Sequence, residues 1–301
     1  YTYNQEYRKD EYKVELIKKN KILDISPENI HKNTEKICMS LDRALFFFQT
    51  RCGIRSINEL NYSLMLSLVA TVFTNDAWFY EESVHRKLEA WYWSSVFSGR
   101  YDRDQNIVFI QDMQSVIDML KESGSVEWIE RNVDYIMEAQ NFSDKQLILM
   151  EKTSEERFPK RILRNFMCQF LLSKTYTDMF EKNQIVSVFS DISDPLEAHH
   201  IIPLGSVKKV GESTSELRKN EKNICNSPLN FVYITKSANE MISAKPLESY
   251  VALITDEAKS ALHIQKYNTC NISDEDIKQI LSERYTALKG EIRDKVKRLL
   301  R

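Results

Sequence analysis

The sequence predicts a mostly α protein with a small α+β part, and three observations carry that expectation. The chain of 301 residues contains only six Gly and six Pro, so breakers and loops are few. Apolar residues recur at helical spacing, behind recognisable start signals, over most of residues 26–173 and again from residue 273. Between those stretches lies a β-branched and aromatic run, Phe231-Val232-Tyr233-Ile234-Thr235, which reads as a strand. The expected organisation is a helical domain over residues 1–190, then a smaller mixed domain over 191–301 that ends in a helix. A chain of this length with 42% hydrophobic residues can bury a substantial core in two such domains.

Ser26-Pro27-Glu28 starts the first long helix, with Pro at the first helical position, and the pattern runs to Cys52-Gly53. Ser56 with Glu59 reads as a capping box before an apolar-periodic segment ending near Asn75. Further helices are expected over about 81–97, 107–122, 127–140, 144–153 and 159–173. After the strand, the segment from Lys236 onward, SANEMISAKPLESYVALI, reads as the opening of a helix. Ser273-Asp274-Glu275 starts the last helix, in which Ile277, Ile280, Leu281, Tyr285, Leu288, Ile292, Val296 and Leu299 keep helical spacing.

EAWYWSSVFSGRYDRD at 89–104 gathers Trp91, Tyr92, Trp93, Phe97 and Tyr101 around Ser98-Gly99-Arg100. Its simplest reading is an aromatic core at a helix end, with Gly99 reversing the chain. Its alternative is an aromatic and arginine surface that stacks bases.

No apolar run approaches the length of a membrane-spanning helix, and the start has no signal-peptide pattern, so no membrane association is expected. The cysteines Cys38, Cys52, Cys168, Cys225 and Cys270 are scattered and form no CxxC pair. A structural zinc is therefore not expected, and a reduced, cytoplasmic compartment is. A net charge of −2 is no nucleic-acid signature, so any such surface has to be local. Lys208, Lys209, Arg218, Lys219 and Lys222 form one basic loop, and KGEIRDKVKRLLR at 289–301 is a basic helix that reads as a solvated face.

EAHHIIPL at 197–204 places two of the five histidines side by side before a Pro-Leu-Gly turn signal. One imidazole of such a pair can bind a divalent cation while its neighbour takes a proton from water. Downstream, Asn230 opens the strand and Asn239 lies in the helix start. Singly, each has a structural reading: strand histidines bonded to carbonyls, a turn Asn, a helix-capping Asn, a solvated Glu197, a surface Lys245. In this order and spacing, the residues resemble the ββα-metal fold of HNH endonucleases. That resemblance implies His199 as a metal ligand where many relatives carry Asp, and His200 as the base that activates water. It implies Asn239 as the second ligand and Asn230 as the residue that pins the dyad's loop and aims the base. Glu197 would support a ligand by hydrogen bonding, and Lys245, with Lys208 and Lys209, would meet phosphates. Mg²⁺ is the expected cofactor; a neutral imidazole in place of Asp leaves Mn²⁺, Ni²⁺ and Zn²⁺ compatible.

The aromatic stretch, the SAKP segment and the closing Glu283-Arg284-Tyr285 also resemble GmrSD-type bacterial proteins, which restrict modified phage DNA. That likeness implies phage DNA as substrate and a ParB-like nucleotide-binding domain or subunit outside this chain. Its D-G-Q-Q-R motif is absent, and the opening YTYNQEYRKDEY lacks Met, which reads as a fragment of a longer protein or one of two subunits. The expected activity is metal-dependent DNA phosphodiester hydrolysis in defence against phage. The alternatives are a catalytically silent DNA- or partner-binding module and an RNA-cleaving HNH effector.

Overall fold

The structure, a computed structural model, describes residues 12–121, 125–138, 144–149, 160–190, 194–264 and 272–301. The opening segment, the ends of several expected helices, the expected domain junction at 191–193 and Cys270 lie outside the described residues. The described residues are mostly helical with two small antiparallel sheets, in keeping with the mostly α class that composition and periodicity predict. Among the described residues no helix is long and apolar enough to cross a membrane. The chain divides into two compact units.

The first unit takes the described residues up to Phe48, with Ser56–Ile136 and Arg293–Arg301. Its helices are α1 (Pro27–Cys52, whose last turn belongs to the second unit), α2 (Ser63–Val72), α3 (Glu82–Phe97), α4 (Gln105–Leu120) and α5 (Glu127–Asp134). Pro27 opens α1 as its sequence predicts. The capping box expected at Ser56 does not form. Ser56 precedes a single 3-10 turn, Ile57–Glu59, without a side-chain cap bond, and α2 starts at Ser63. Tyr62, just before α2, is instead tied by its hydroxyl to Asp102 at 2.6 Å, a long-range bond that local capping rules do not contain.

Trp91, Tyr92, Trp93, Phe97 and Tyr101 are each at most 1% exposed, so the 89–104 stretch is core and none of these rings has a face open to a base. Phe48 meets Tyr92 edge-on at 5.5 Å, and Trp93 stacks on Phe97 at 5.8 Å. Gly99 takes φ 71 at the chain reversal. Trp91 and Arg100 of this stretch converge on Asp112 of α4, which is fully buried. It accepts Trp91 Nε1–H at 2.9 Å, and Arg100 donates to its Oδ1 from Nε at 2.8 Å and Nη2 at 2.6 Å. Removing that carboxylate leaves an indole N–H and a guanidinium without acceptors. Asp112→Ala should therefore cost on the order of 3 kcal/mol in denaturant unfolding, and a loss below about 1 kcal/mol would refute the network's structural role.

The second unit takes Gln49–Arg55 and the described residues of Met137–Ile292. It holds α6 (Lys160–Leu172), β1 (Tyr176–Thr177), β2 (Ile185–Val186), β3 (Leu196–His200), α7 (Thr214–Lys219), β4 (Phe231–Thr235), α8 (Lys236–Ile242), α9 (Leu247–Val251), α10 (Asp256–Leu262) and α11 (Asp274–Leu299, up to Ile292). Gly53, at φ 62, lies so close to α6 that an added Cβ would stand 2.1 Å from the Gln169 carbonyl oxygen.

β3 and β4 pair antiparallel, with Leu196 opposite Thr235 and His200 opposite Phe231. Every residue of β4 is buried, as its continuous apolar run predicts, and α6 packs against it. Tyr176 donates its hydroxyl to the Tyr233 carbonyl at 2.6 Å, and Arg55 reaches the Leu196 carbonyl at 3.0 Å with its guanidinium 4.4 Å from the Tyr233 ring. Thr235 ends β4 and caps α8 by accepting Ala238 N–H, while its own hydroxyl donates to Asp178 at 2.6 Å. The helix read from Lys236 onward is two helices: Ser243, at φ 51, breaks it after Ile242, and Pro246 precedes α9.

Candidate active site

Strand alternation decides where the histidines look. Glu197 and His199 share one face of β3, and His200 turns to the other at the strand's last position. The hairpin hands directly into α8, which lies against β3 and carries Asn239 one turn from its start. Asn239 Nδ2 donates to Glu197 Oε2 at 2.6 Å. That bond turns the amide oxygen toward His199, whose Nδ1 lies 2.8 Å from Asn239 Oδ1. An amide oxygen can only accept, so Nδ1 carries the ring proton and Nε2 keeps a lone pair. His199 Nε2 is buried without a hydrogen-bond partner.

His200 is held from the other side by Asn226, a residue sequence reasoning missed. Asn226 Nδ2 donates to the carbonyls of Leu217 at 2.7 Å and Asn220 at 3.0 Å. Its Oδ1 therefore receives His200 Nε2–H at 3.1 Å, and the lone pair falls on Nδ1. The Phe231 ring packs 4.2 Å from the His200 ring. In sequence, Asn226 before Ser227-Pro228 resembles any turn residue, and nothing local marks it as an imidazole's partner.

Burial keeps both rings neutral. It pushes His199 from its ordinary 6.5 down to about 4, against the opposing effect of the Asn239 bond. His200 also falls to about 4, again chiefly by burial, opposed by the Asn226 bond and reinforced by the charges of His199, Arg218 and Arg164.

Asn230 is fully buried at the start of β4. Its Oδ1 accepts Ile202 N–H at 2.8 Å, its Nδ2 donates to Cys225 O at 2.8 Å and Ile202 O at 3.1 Å, and its carbonyl accepts Ile201 N–H at 2.9 Å. Tyr250 of α9, also missed, donates its hydroxyl to the Ile201 carbonyl and presents its ring edge-on to His199 at 6.5 Å. Asn230 thus clamps the two residues that follow the dyad.

The structure brings Glu197, His199 and Asn239 together, turns the adjacent His200 to the other face of β3 and ties Asn230 to the loop that follows. The three lysines are not joined to this cluster. Lys245 is exposed and bonds the Met241 carbonyl at 2.6 Å, and Lys208 and Lys209 are exposed on their loop.

Two donors bound side by side on an octahedral cation with bonds of about 2.1 Å stand about 3 Å apart. The 2.8 Å between His199 Nδ1 and Asn239 Oδ1 is that of their hydrogen bond, so Nδ1 could face an ion beside Oδ1 only with its proton moved to Nε2. Nε2 has no partner in either tautomer, so placing a cation at Nδ1 sacrifices only the Asn239 hydrogen bond. A ring held neutral is also the form a metal requires. Among the described residues no three His, Cys, Asp or Glu side chains converge as a metal cage. The donor pair, one imidazole and one amide, would leave most positions on an ion for water and substrate.

The two rings take up protons less readily folded than unfolded. Between about pH 6.5 and 4 the unfolded chain binds more protons, so stability is intact above that window and falls as pH falls through it. Urea midpoints of chelator-treated protein should drop across the window, and His199→Gln should shrink the drop. A midpoint that does not move with pH would contradict the neutral, buried assignment.

No protein-family model matches the chain, and no solved structure matches it. An uncharacterised protein of Methanocaldococcus jannaschii is 26% identical over 180 residues, which cover 60% of this chain and 26% of that relative. The chain thus spans about a quarter of that relative's length.

Proposed function

We propose that the second unit carries an HNH-type, ββα-metal endonuclease site that hydrolyses DNA phosphodiester bonds with a divalent cation. One observation carries this reading: Glu197, Asn239 and His199 form a hydrogen-bonded chain that brings an imidazole nitrogen and an amide oxygen together, and a second, neutral histidine follows directly in the strand. Such a pairing of donor atoms and base is what metal-assisted hydrolysis needs. When bound, the cation would stabilise charge on the phosphate and the leaving oxygen.

Each side chain then has a separable task. His199 and Asn239 offer the donors, and Glu197 keeps the amide oxygen turned toward the ring. His200 accepts the attacking water's proton at Nδ1 while Nε2–H stays on Asn226, which fixes the tautomer and steadies the ring as it becomes charged. Asn230 and Tyr250 hold Ile201 and Ile202, so the chain leaves β3 in one direction and the base keeps its aim. Mg²⁺ suits the phosphate chemistry, and the imidazole donor also accommodates Mn²⁺, Ni²⁺ or Zn²⁺. The likeness to GmrSD-type proteins motivates phage DNA as the substrate and a ParB-like nucleotide-binding half as partner.

The test is nicking or linearisation of plasmid DNA with Mg²⁺ or Mn²⁺, with and without chelator. Chelator-sensitive cutting supports the enzyme, DNA retention without cutting supports a silent binding module, and selective cutting of RNA would move the activity to that polymer. His200→Ala should abolish cleavage at unchanged melting temperature; wild-type-like cutting by that folded variant overturns the assignment of the base. Asn239→Ala should weaken Mn²⁺ binding by about tenfold or more in calorimetry, and unchanged affinity removes it as a ligand.

A further inference from the structure

Two arginines from helices outside the hairpin are tied to the surroundings of His200 through its immediate partners. Arg164 of α6 sets its guanidinium 5.0 Å from the centre of the Phe231 ring. That ring lies 4.2 Å from His200, its partner across the β3–β4 pair. Arg218 of α7 follows Leu217, whose carbonyl anchors Asn226, and Asn226 in turn holds His200. Each of these charges opposes protonation of His200. Among the described residues neither guanidinium has a carboxylate partner or a hydrogen bond, although Arg164 is half-buried. A half-buried guanidinium calls for an anion, and its planar fork of N–H donors matches phosphate oxygens.

We propose that Arg164 and Arg218 form a phosphate-binding pair near His200, which seats a nucleic-acid phosphodiester against the base. The proposal rests on the nuclease reading for the polymer the phosphate belongs to. The site it describes is electrostatic and testable without catalysis. Lys208, Lys209 and Lys245, the cations that sequence order points to, have no comparable geometric tie to His200.

The experiment measures binding of fluorescent duplex DNA and RNA oligonucleotides to the full chain in chelator, over a range of salt concentrations, and then cleavage with Mn²⁺. Arg164→Gln and Arg218→Gln should each weaken binding roughly 3- to 10-fold. Each should also flatten the slope of log Kd against log salt by about one phosphate contact. Arg164→Lys keeps the charge but loses the fork. It should retain the slope while kcat falls more than KM rises, a split that simple loss of packing does not give. If Arg164→Gln fails to fold, Arg164→Lys and the exposed Arg218→Gln decide the question. Unchanged slopes and unchanged kcat/KM in folded variants overturn the pair, as does a wild type that binds neither polymer. A wild type that binds with the expected slope but never cuts sinks the nuclease reading and leaves the pair standing.

Discussion

A single buried amide constrains the geometry of the second unit's site. Asn230 has no contact with solvent, so each of its polar atoms needs a partner within the protein, at a cost of about 1–3 kcal/mol for each one left bare. Its bonds to Ile202 and Cys225 join the loop after β3 to the turns that lead into β4. The neighbouring Leu229 carbonyl is taken by Arg284 of α11, itself buried and bonded to the Leu262 carbonyl. Helix α11 thus braces the same turn from behind. Because the amide can satisfy all of these only in one arrangement, the exit of the chain from the histidine pair is fixed before any substrate arrives.

The low polarity that makes Asn230 so demanding also sets the chemistry of the histidines. Burial removes their charge, and an asparagine chooses which nitrogen holds the proton in each. These asparagines are themselves oriented, Asn239 by the Glu197 carboxylate and Asn226 by two backbone carbonyls. The result is division of labour between adjacent, chemically identical rings: Nδ1 of His199 faces an amide oxygen, whereas Nδ1 of His200 is left with a bare lone pair. In the first unit, burial produces a purely structural outcome. Asp112 gathers Trp91 and Arg100 within an aromatic core, which is why the most base-like surface in the sequence is no surface at all.

Some of this was legible in the residues alone. The helical bulk, the strand at Phe231–Thr235 and the last helix follow from spacing of apolar side chains, because periodicity records which face is buried. The break within the helix read from Lys236 was less legible: Pro246 marks it, but Ser243 takes φ 51 without being Gly or Asn. The capping box at Ser56 had the right letters and failed, since a short local motif is worth about 1 kcal/mol and Tyr62 is held by the bond its hydroxyl donates to Asp102 instead.

At the candidate site, the sequence by itself determined the residue types and their order: two adjacent histidines on one strand, then an asparagine on each side of the next. Residue type and order carry that much, because a donor's chemistry is a local property. Tertiary structure alone decided how they are used. It supplied Asn226 and Tyr250, set the Arg164 guanidinium over the Phe231 ring that packs on His200, and left Lys208, Lys209 and Lys245 exposed. Tautomer, burial and electrostatic neighbourhood depend on atoms brought together from α6, α7, α8 and α9, and no local stretch of sequence contains them.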